Sequence, residues 1–210
     1  MKKTGFIGIG NVGFAIANNL QKCGHEIIVR HNDLNSESLK KALAKNPSFK
    51  TINVQEMVNQ SDLIFLTTPF QANESILKGL SFNGKTLVDC TNPVGPGITH
   101  GLKSEISGAE VVQQLAPDAK VVKAFNIYGY ENFVNSSYPA YNVKPVMLIA
   151  GNDKNAKAEL SQLIEELGFF LKDTGDLSQA LHLEHMTLLW VKMVRKYGHN
   201  PNFVWAYLEK

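Results

Sequence analysis

Along the first two thirds of the chain, short apolar runs alternate with stretches whose apolar positions recur at helical spacing. "TGFIGIG" (4–10) is a compact apolar run ending on glycine, and it predicts a buried strand. "NVGFAIANNLQKCG" (11–24) carries Val12, Ile16 and Leu20 four apart with Gly24 as a stop, and predicts a helix. "HEIIVRH" (25–31) predicts the next strand, and "NSESLKKALAK" (35–45) a helix with Ser36 as cap and Pro47 closing it. A short strand at 51–52 and a short helix over "VQEMVNQ" follow. "SDLIFLTTP" (61–69) is apolar on both faces, as a central parallel strand is. A helix near 71–80 and strands in "KTLVDCTNP" (85–93) and "AKVVKAFN" (119–126) complete the series. The repeated strand–helix unit predicts a doubly wound parallel sheet with helices on both sides.

The pattern changes after residue 127. "YGYENFVNSSYPAYNVKP" (128–145) is rich in aromatics and turn formers and predicts a long loop, a feature associated with function. "VMLIAGND" predicts a strand, "KNAKAELSQLIEELG" an amphipathic helix and "FFLKDTG" a strand. A long helix over 176–198 with Asp176 as cap and a last helical turn in the tail end the reading. The expected organisation is a doubly wound domain over 1–127. A small C-terminal α/β extension over 128–210, ending in the long helix, packs on it and supplies acceptor-site and oligomer contacts.

Composition narrows the classes. The 210 residues carry a formal net charge of +2, which gives no general electrostatic case for nucleic acid. No apolar run approaches the roughly 18–20 residues of a membrane span. "MKKTGFIGIG" runs straight into a glycine turn, so it reads as the first strand rather than a signal peptide. Cys23 and Cys90 lack the spacing of a disulfide framework or zinc site and read as free thiols in a reducing cytoplasm.

The chemistry starts at Gly8-Ile9-Gly10-Asn11-Val12-Gly13, a G-x-G-x-x-G run set between a strand and a helix. In a Rossmann-type fold Gly8 permits the tight turn, Gly10 leaves room for a pyrophosphate, and Gly13 lets helix and strand pack closely. The phosphates then face the helix N-terminus, whose free N–H groups favour negative charge. An acidic residue after the second strand would favour NAD; here Arg30, His31 and Asn32 come first and Asp33 later. A guanidinium grips a phosphate with two hydrogen bonds, so the charge pattern favours NADP(H), with NAD(H) as the alternative.

Beyond the turn, "GFIGIGNVGFAIANNLQKCGHEIIV", "DLIFLTTPF", "KTLVDCTNPVGPG", "AKVVKAFN", "LIAGND" and "DTGDLSQALHLE" together resemble the NADPH-dependent reductases of coenzyme F420, and the reductase domains of the STEAP metalloreductases. The resemblance spans nearly the whole chain. It implies a nicotinamide site built from strand ends, with a flat ring of coenzyme F420, FMN or FAD stacked on it. Thr67, Thr68, Pro69 and Phe70 would pass beneath the coenzyme, Asn92 and Pro93 would flank the nicotinamide, and Ala124, Phe125 and Asn126 would form the pocket floor. The family's Ser-Arg pair for the 2′-phosphate falls near Asn32-Asp33, so Arg30 and His31 would have to take over that task.

The expected function is hydride transfer between NADP(H) and such an acceptor, with Phe70, Phe125 and Tyr128 as an apolar wall. A homodimer through the C-terminal helix is expected, with Trp190, Met186 and Met193 buried either against a second subunit or against the sheet. Two alternatives stand: a non-catalytic NADP(H) sensor, and a dehydrogenase of a small carbonyl substrate. The latter would need an acid/base group, for which His100 and Lys123 are the candidates. His182 and His185 share a helix face, but Glu184 does not lie with them, and no third ligand completes a metal site.

Overall fold

The computed structural model describes residues 1–30 and 36–210. The chain begins β1 (Lys3–Ile7), α1 (Asn11–Lys22), β2 (Glu26–Arg30), α2 (Glu37–Lys45), β3 (Lys50–Ile52), α3 (Val54–Gln60), β4 (Leu63–Leu66). It continues α4 (Asn73–Leu77), β5 (Thr86–Asp89), a small ribbon β6 (Val94–Gly95) and β7 (Thr99–His100), α5 (Gly108–Leu115) and β8 (Lys120–Lys123). α6 (Glu131–Val134), β9 (Val146–Gly151), α7 (Lys154–Glu166), β10 (Phe170–Asp173) and α8 (Ala180–Val191) follow. Among the described residues one sheet of eight strands carries the fold, in the order β10-β9-β8-β5-β4-β1-β2-β3.

From β3 to β8 every pairing is parallel, and β8 meets β9 antiparallel. β9 and β10 therefore extend the same sheet, parallel to each other and opposite to the rest. The order turns back on itself at β1, so the crevice beyond the carboxyl ends of β1 and β4 is the topological switch point where such sheets hold ligands.

Sequence accounts for the middle of the sheet. β4 reads Leu-Ile-Phe-Leu and every residue is buried, because helices cover both faces of a central parallel strand. Phe65 stacks on Phe6 of β1 with ring centroids 4.8 Å apart. α1 buries Gly13, Ala15, Ile16, Ala17 and Leu20, the small residues letting it lie close on the strands.

Elements outside the sheet centre depart from the sequence pattern. The expected helix at 71–80 is a single 3₁₀ turn, Phe70–Ala72, followed by the five residues of α4. Ser36 occupies the N-cap of α2 without a side-chain capping bond; its hydroxyl lies 3.0 Å from that of Ser38. The loop over 128–145 contains the short α6, tied to α1 by Asn19 Nδ2 donating to Phe133 O at 2.6 Å. The long C-terminal helix is in three parts: a 3₁₀ turn at Leu177–Gln179 capped by Asp176, then α8, then a π-helical turn at Lys192–Lys196. The tail is not helical. Trp205 O accepts from Val146 N–H at 2.9 Å, so the tail runs alongside the start of β9.

Candidate functional site

The glycine turn is wedged against β4. Thr67 N–H donates to Ile7 O at 2.9 Å, and Thr67 Oγ1 donates to Gly8 O at 2.7 Å. Gly8 has φ of +99°, and a Cβ there would lie 2.9 Å from the Thr67 carbonyl. A Cβ on Gly13 would lie 2.5 Å from Thr67 Oγ1 and 2.8 Å from Gly8 O. Both positions therefore require glycine for the close approach of α1 to the strands. Gly10 differs: its φ is −68°, and a Cβ would meet no atom of the described residues within 4 Å. It borders open space. The first turn of α1 has no side-chain cap and no acidic residue, so its N–H groups and dipole face that space.

A cleft of about 450 Å³ opens there, lined by Gly8, Ile9, Gly10, Arg30, Ser36, Ser38, Leu39, Thr67, Thr68 and Pro69. It thus runs from the tips of β1 and β4 to the end of β2. Arg30 is half-buried, and burial draws the pKa of its guanidinium down from its ordinary value. Asn11 is exposed and Val12 half-buried, on the first turn of α1. His31, Asn32, Asp33 and Asn35 lie outside the described residues.

The remaining motif residues gather at the tips of β5 and β8. Asn126 Nδ2 donates to Asn92 Oδ1 at 3.1 Å and to Thr187 Oγ1 on α8 at 3.1 Å, while Asn92 Nδ2 donates to Asn126 O at 3.3 Å. Asn126 Oδ1 is buried and has no hydrogen-bond partner among the described residues. Between Ala124 and Asn126 the backbone turns sharply, because Phe125 has φ of +54°. A bulky residue in the left-handed region is a strained conformation of the kind that clusters at functional sites. Phe70 is half-buried beside the cleft and Pro93 is buried.

Phe125 and Tyr128 do not form the expected wall. Phe125 is buried against Phe65, Phe133 and Phe169. Tyr128 is buried too, its hydroxyl donating to Val146 O at 2.6 Å, and that burial pushes its pKa well above the ordinary 10.0. Both are core residues, placed there by the aromatic cluster between the loop and α7. Trp190 is likewise buried within this chain, stacked on Phe203 with centroids 6.0 Å apart.

A charged cluster that sequence reasoning missed lies behind these tips. Lys123 is fully buried, with Nζ 2.9 Å from Asp89 Oδ2, 2.7 Å from Glu184 Oε1 and 2.6 Å from Thr91 O. His100 Nε2 lies 2.9 Å from Glu184 Oε2, and its Nδ1 accepts from Ser104 N–H at 3.2 Å. Both ring nitrogens of His100 are thus engaged inside the protein. Gly108 N–H and Ala109 N–H also reach Glu184, at 2.9 and 3.3 Å. Burial works to lower the Lys123 ammonium, but the two carboxylates outweigh it and hold its pKa above 10.5. Burial works to raise Glu184, but Lys123, the Gly108 N–H and His100 hold it below 4.5. The signal was present: Asp89 and Lys123 are opposite charges ending two apolar strands, and they are register partners. His182 and His185 are exposed on α8, His185 Nε2 lying 2.9 Å from Ser104 Oγ.

This sheet order, with a glycine turn at its switch point, defines a Rossmann-type doubly wound fold. Residues 3–93 match the model of the family described as NADP oxidoreductase, coenzyme F420-dependent. Metalloreductase STEAP3 of Rattus norvegicus is 29% identical over 188 residues, covering 89% of this chain and 36% of its own length. The chain therefore spans about a third of that relative. Among solved structures, a proposed F420-dependent NADP reductase from Arthrobacter sp. FB24 superposes with a TM-score of 0.79 at 24% identity, covering 100% of both chains. A hypothetical protein from Sinorhizobium meliloti gives 0.75 at 23% identity, covering 100% of this chain and 97% of its own. These likenesses bear out the resemblance read from the motif blocks, and the structural ones bear out the fold. Among the described residues no helix is long and apolar enough to cross a membrane.

Proposed function

We propose that this chain binds NADP(H) across the switch point and presents the nicotinamide to a flat redox acceptor of flavin or deazaflavin type. The observation that carries the reading is the open space at Gly10, continuous with a cleft that ends on Arg30. The pyrophosphate would lie over Gly10 against the N–H groups of Asn11 and Val12. Arg30, with Ser36 and Ser38 as further donors, would take the 2′-phosphate. Thr67, Thr68 and Pro69 would pass under the ribose. Phe70, Asn92, Pro93, Ala124 and Asn126 would frame the nicotinamide, whose amide N–H would satisfy the orphaned Asn126 Oδ1.

The bound coenzyme supplies the hydride; the chain supplies position and exclusion of water. No side chain at the cleft is assigned a proton-transfer role. His100 and Lys123 are committed to the buried cluster, which favours a reaction needing no protein acid over reduction of a small carbonyl. Residues 1–127 would form the coenzyme cradle, and 128–210, through Thr187 of α8, would brace its nicotinamide end.

The test is NADPH oxidation, followed at 340 nm, with coenzyme F420, FMN, FAD and a ferric chelate as separate acceptors. Turnover with a flat ring acceptor is the expected result. Tight coenzyme binding with no turnover on any acceptor would instead mean a sensor.

A further inference from the structure

The cluster at the tips of β5 and β8 is unbalanced in charge. Asp89 and Glu184 are each saturated with donors. Asp89 Oδ1 accepts from Thr91 N–H at 2.9 Å and Thr91 Oγ1 at 2.7 Å, and Oδ2 faces Lys123 at 2.9 Å. Glu184 accepts from Lys123, His100, Gly108 and Ala109. Carboxylates so surrounded are ionised. His100 Nδ1 accepts a hydrogen bond from Ser104 N–H and so bears no proton of its own; Nε2 then carries the hydrogen donated to Glu184, and the ring adds no charge to the cluster. Two carboxylates and one ammonium leave one negative charge in excess. The N-terminus of α5, which supplies the Gly108 and Ala109 N–H groups, offsets about half of it.

The excess charge sits behind the end of the cleft where the nicotinamide would lie. Asp89 and Lys123 end β5 and β8, directly before the segments carrying Asn92 and Asn126. A thread of hydrogen bonds runs on from Thr91 Oγ1, which accepts from Asn73 Nδ2 at 3.2 Å; Asn73 Oδ1 accepts from Thr68 Oγ1 at 2.8 Å, and Thr68 lines the cleft. Loss of hydride with its electron pair gives the nicotinamide ring one positive charge, whereas the coenzyme's phosphates keep theirs in both states. A buried negative charge behind the ring therefore acts on the difference between the two oxidation states.

We propose that the Asp89–Lys123–Glu184 cluster sets the redox preference of the site, tightening the hold on the oxidised, cationic nicotinamide relative to the reduced, neutral one. The proposal rests on the coenzyme placement given above. By this reading the cluster makes the bound reduced coenzyme a better hydride donor. At an effective dielectric of about 20 and a separation of about 10 Å, a full unit charge changes a binding constant by roughly tenfold, and half a unit by roughly threefold to fivefold.

The test is the ratio of dissociation constants, Kd(NADP⁺) over Kd(NADPH), by calorimetry on the full chain. Glu184→Gln removes the excess charge and should raise the ratio about three- to tenfold. His100→Gln keeps the charge count and should leave it in place. Equal shifts for both coenzymes in Glu184→Gln would mean a merely structural role and overturn the proposal. Asp89→Asn carries the same prediction where Glu184→Gln does not fold. Wild-type protein that bound neither coenzyme would sink the site reading itself; binding of both with an unmoved ratio would sink only the redox preference.

Discussion

Replacing Lys123 with Met should be strongly destabilising. The ammonium is fully buried and makes three contacts of 2.6–2.9 Å, to Asp89, Thr91 and Glu184. Met fills a similar volume and leaves two carboxylates facing each other without a cation. Breaking a buried ion pair in this way costs about 3–5 kcal/mol, a large part of the roughly 5–15 kcal/mol that holds a domain together. Urea unfolding at pH 7, followed by circular dichroism and by the fluorescence of Trp190 and Trp205, measures the loss. The pH dependence gives the sign. In the wild-type protein Glu184 is held below its ordinary 4.5, so its contribution is present above that value and is lost as pH falls through the lowered folded pKa. Lys123 is held above 10.5, so its contribution is complete below that value and is lost as pH rises through the raised one. Without Lys123 the Glu184 carboxyl takes up a proton more readily in the folded state. The gap between variant and wild type should therefore narrow as pH falls from 7 to about 4.5. Neutralising the partners as well, in Lys123→Met/Asp89→Asn/Glu184→Gln, should recover most of the loss. A Lys123→Met cost under about 1 kcal/mol, or a gap that widens in acid, would refute the reasoning.

Arg30→Asp should weaken NADPH by about ten- to a hundredfold, the worth of a charge-assisted contact, and NADH far less; equal losses in calorimetry would remove Arg30 from phosphate recognition. Gly13→Ala drives a methyl to 2.5 Å from Thr67 Oγ1 and 2.8 Å from Gly8 O, so it should cost about 1–3 kcal/mol in urea unfolding and at least tenfold in coenzyme affinity. Tyr128→Phe strips a donor from Val146 O and an acceptor from Trp205 N–H, and should cost about 1–3 kcal/mol, read as a lowered Tm, with coenzyme affinity unmoved.

The sheet was legible because its strands are apolar on both faces, a pattern that survives any tertiary context. "SDLIFLTTP" and "TGFIGIG" stand side by side in the centre as their composition demands. The glycine turn was legible because close packing and open space each need glycine for a separate reason. The nicotinamide end was harder to read. Phe125 and Tyr128 look like pocket aromatics in a one-dimensional pattern, yet the aromatics at 133 and 169 draw them into the core. Glu184 was weighed only against the histidines on its own helix, because helical spacing compares a residue with neighbours along the chain and not with a lysine on β8. The tail looked helical by its apolar content, but it pairs with the start of β9 and with Tyr128, contacts no local pattern encodes.

The central claim is that the open space over Gly10 is where the coenzyme's pyrophosphate lies. Calorimetric titration of NADPH into the wild-type protein and into Gly10→Val tests it most directly, because a Cβ at this position meets no atom of the described residues within 4 Å. One NADPH per chain in the wild type, and a loss of at least tenfold in a Gly10→Val variant that keeps the wild-type circular dichroism spectrum, is the predicted result. Undiminished binding by the valine variant, or none by the wild type, would contradict the account.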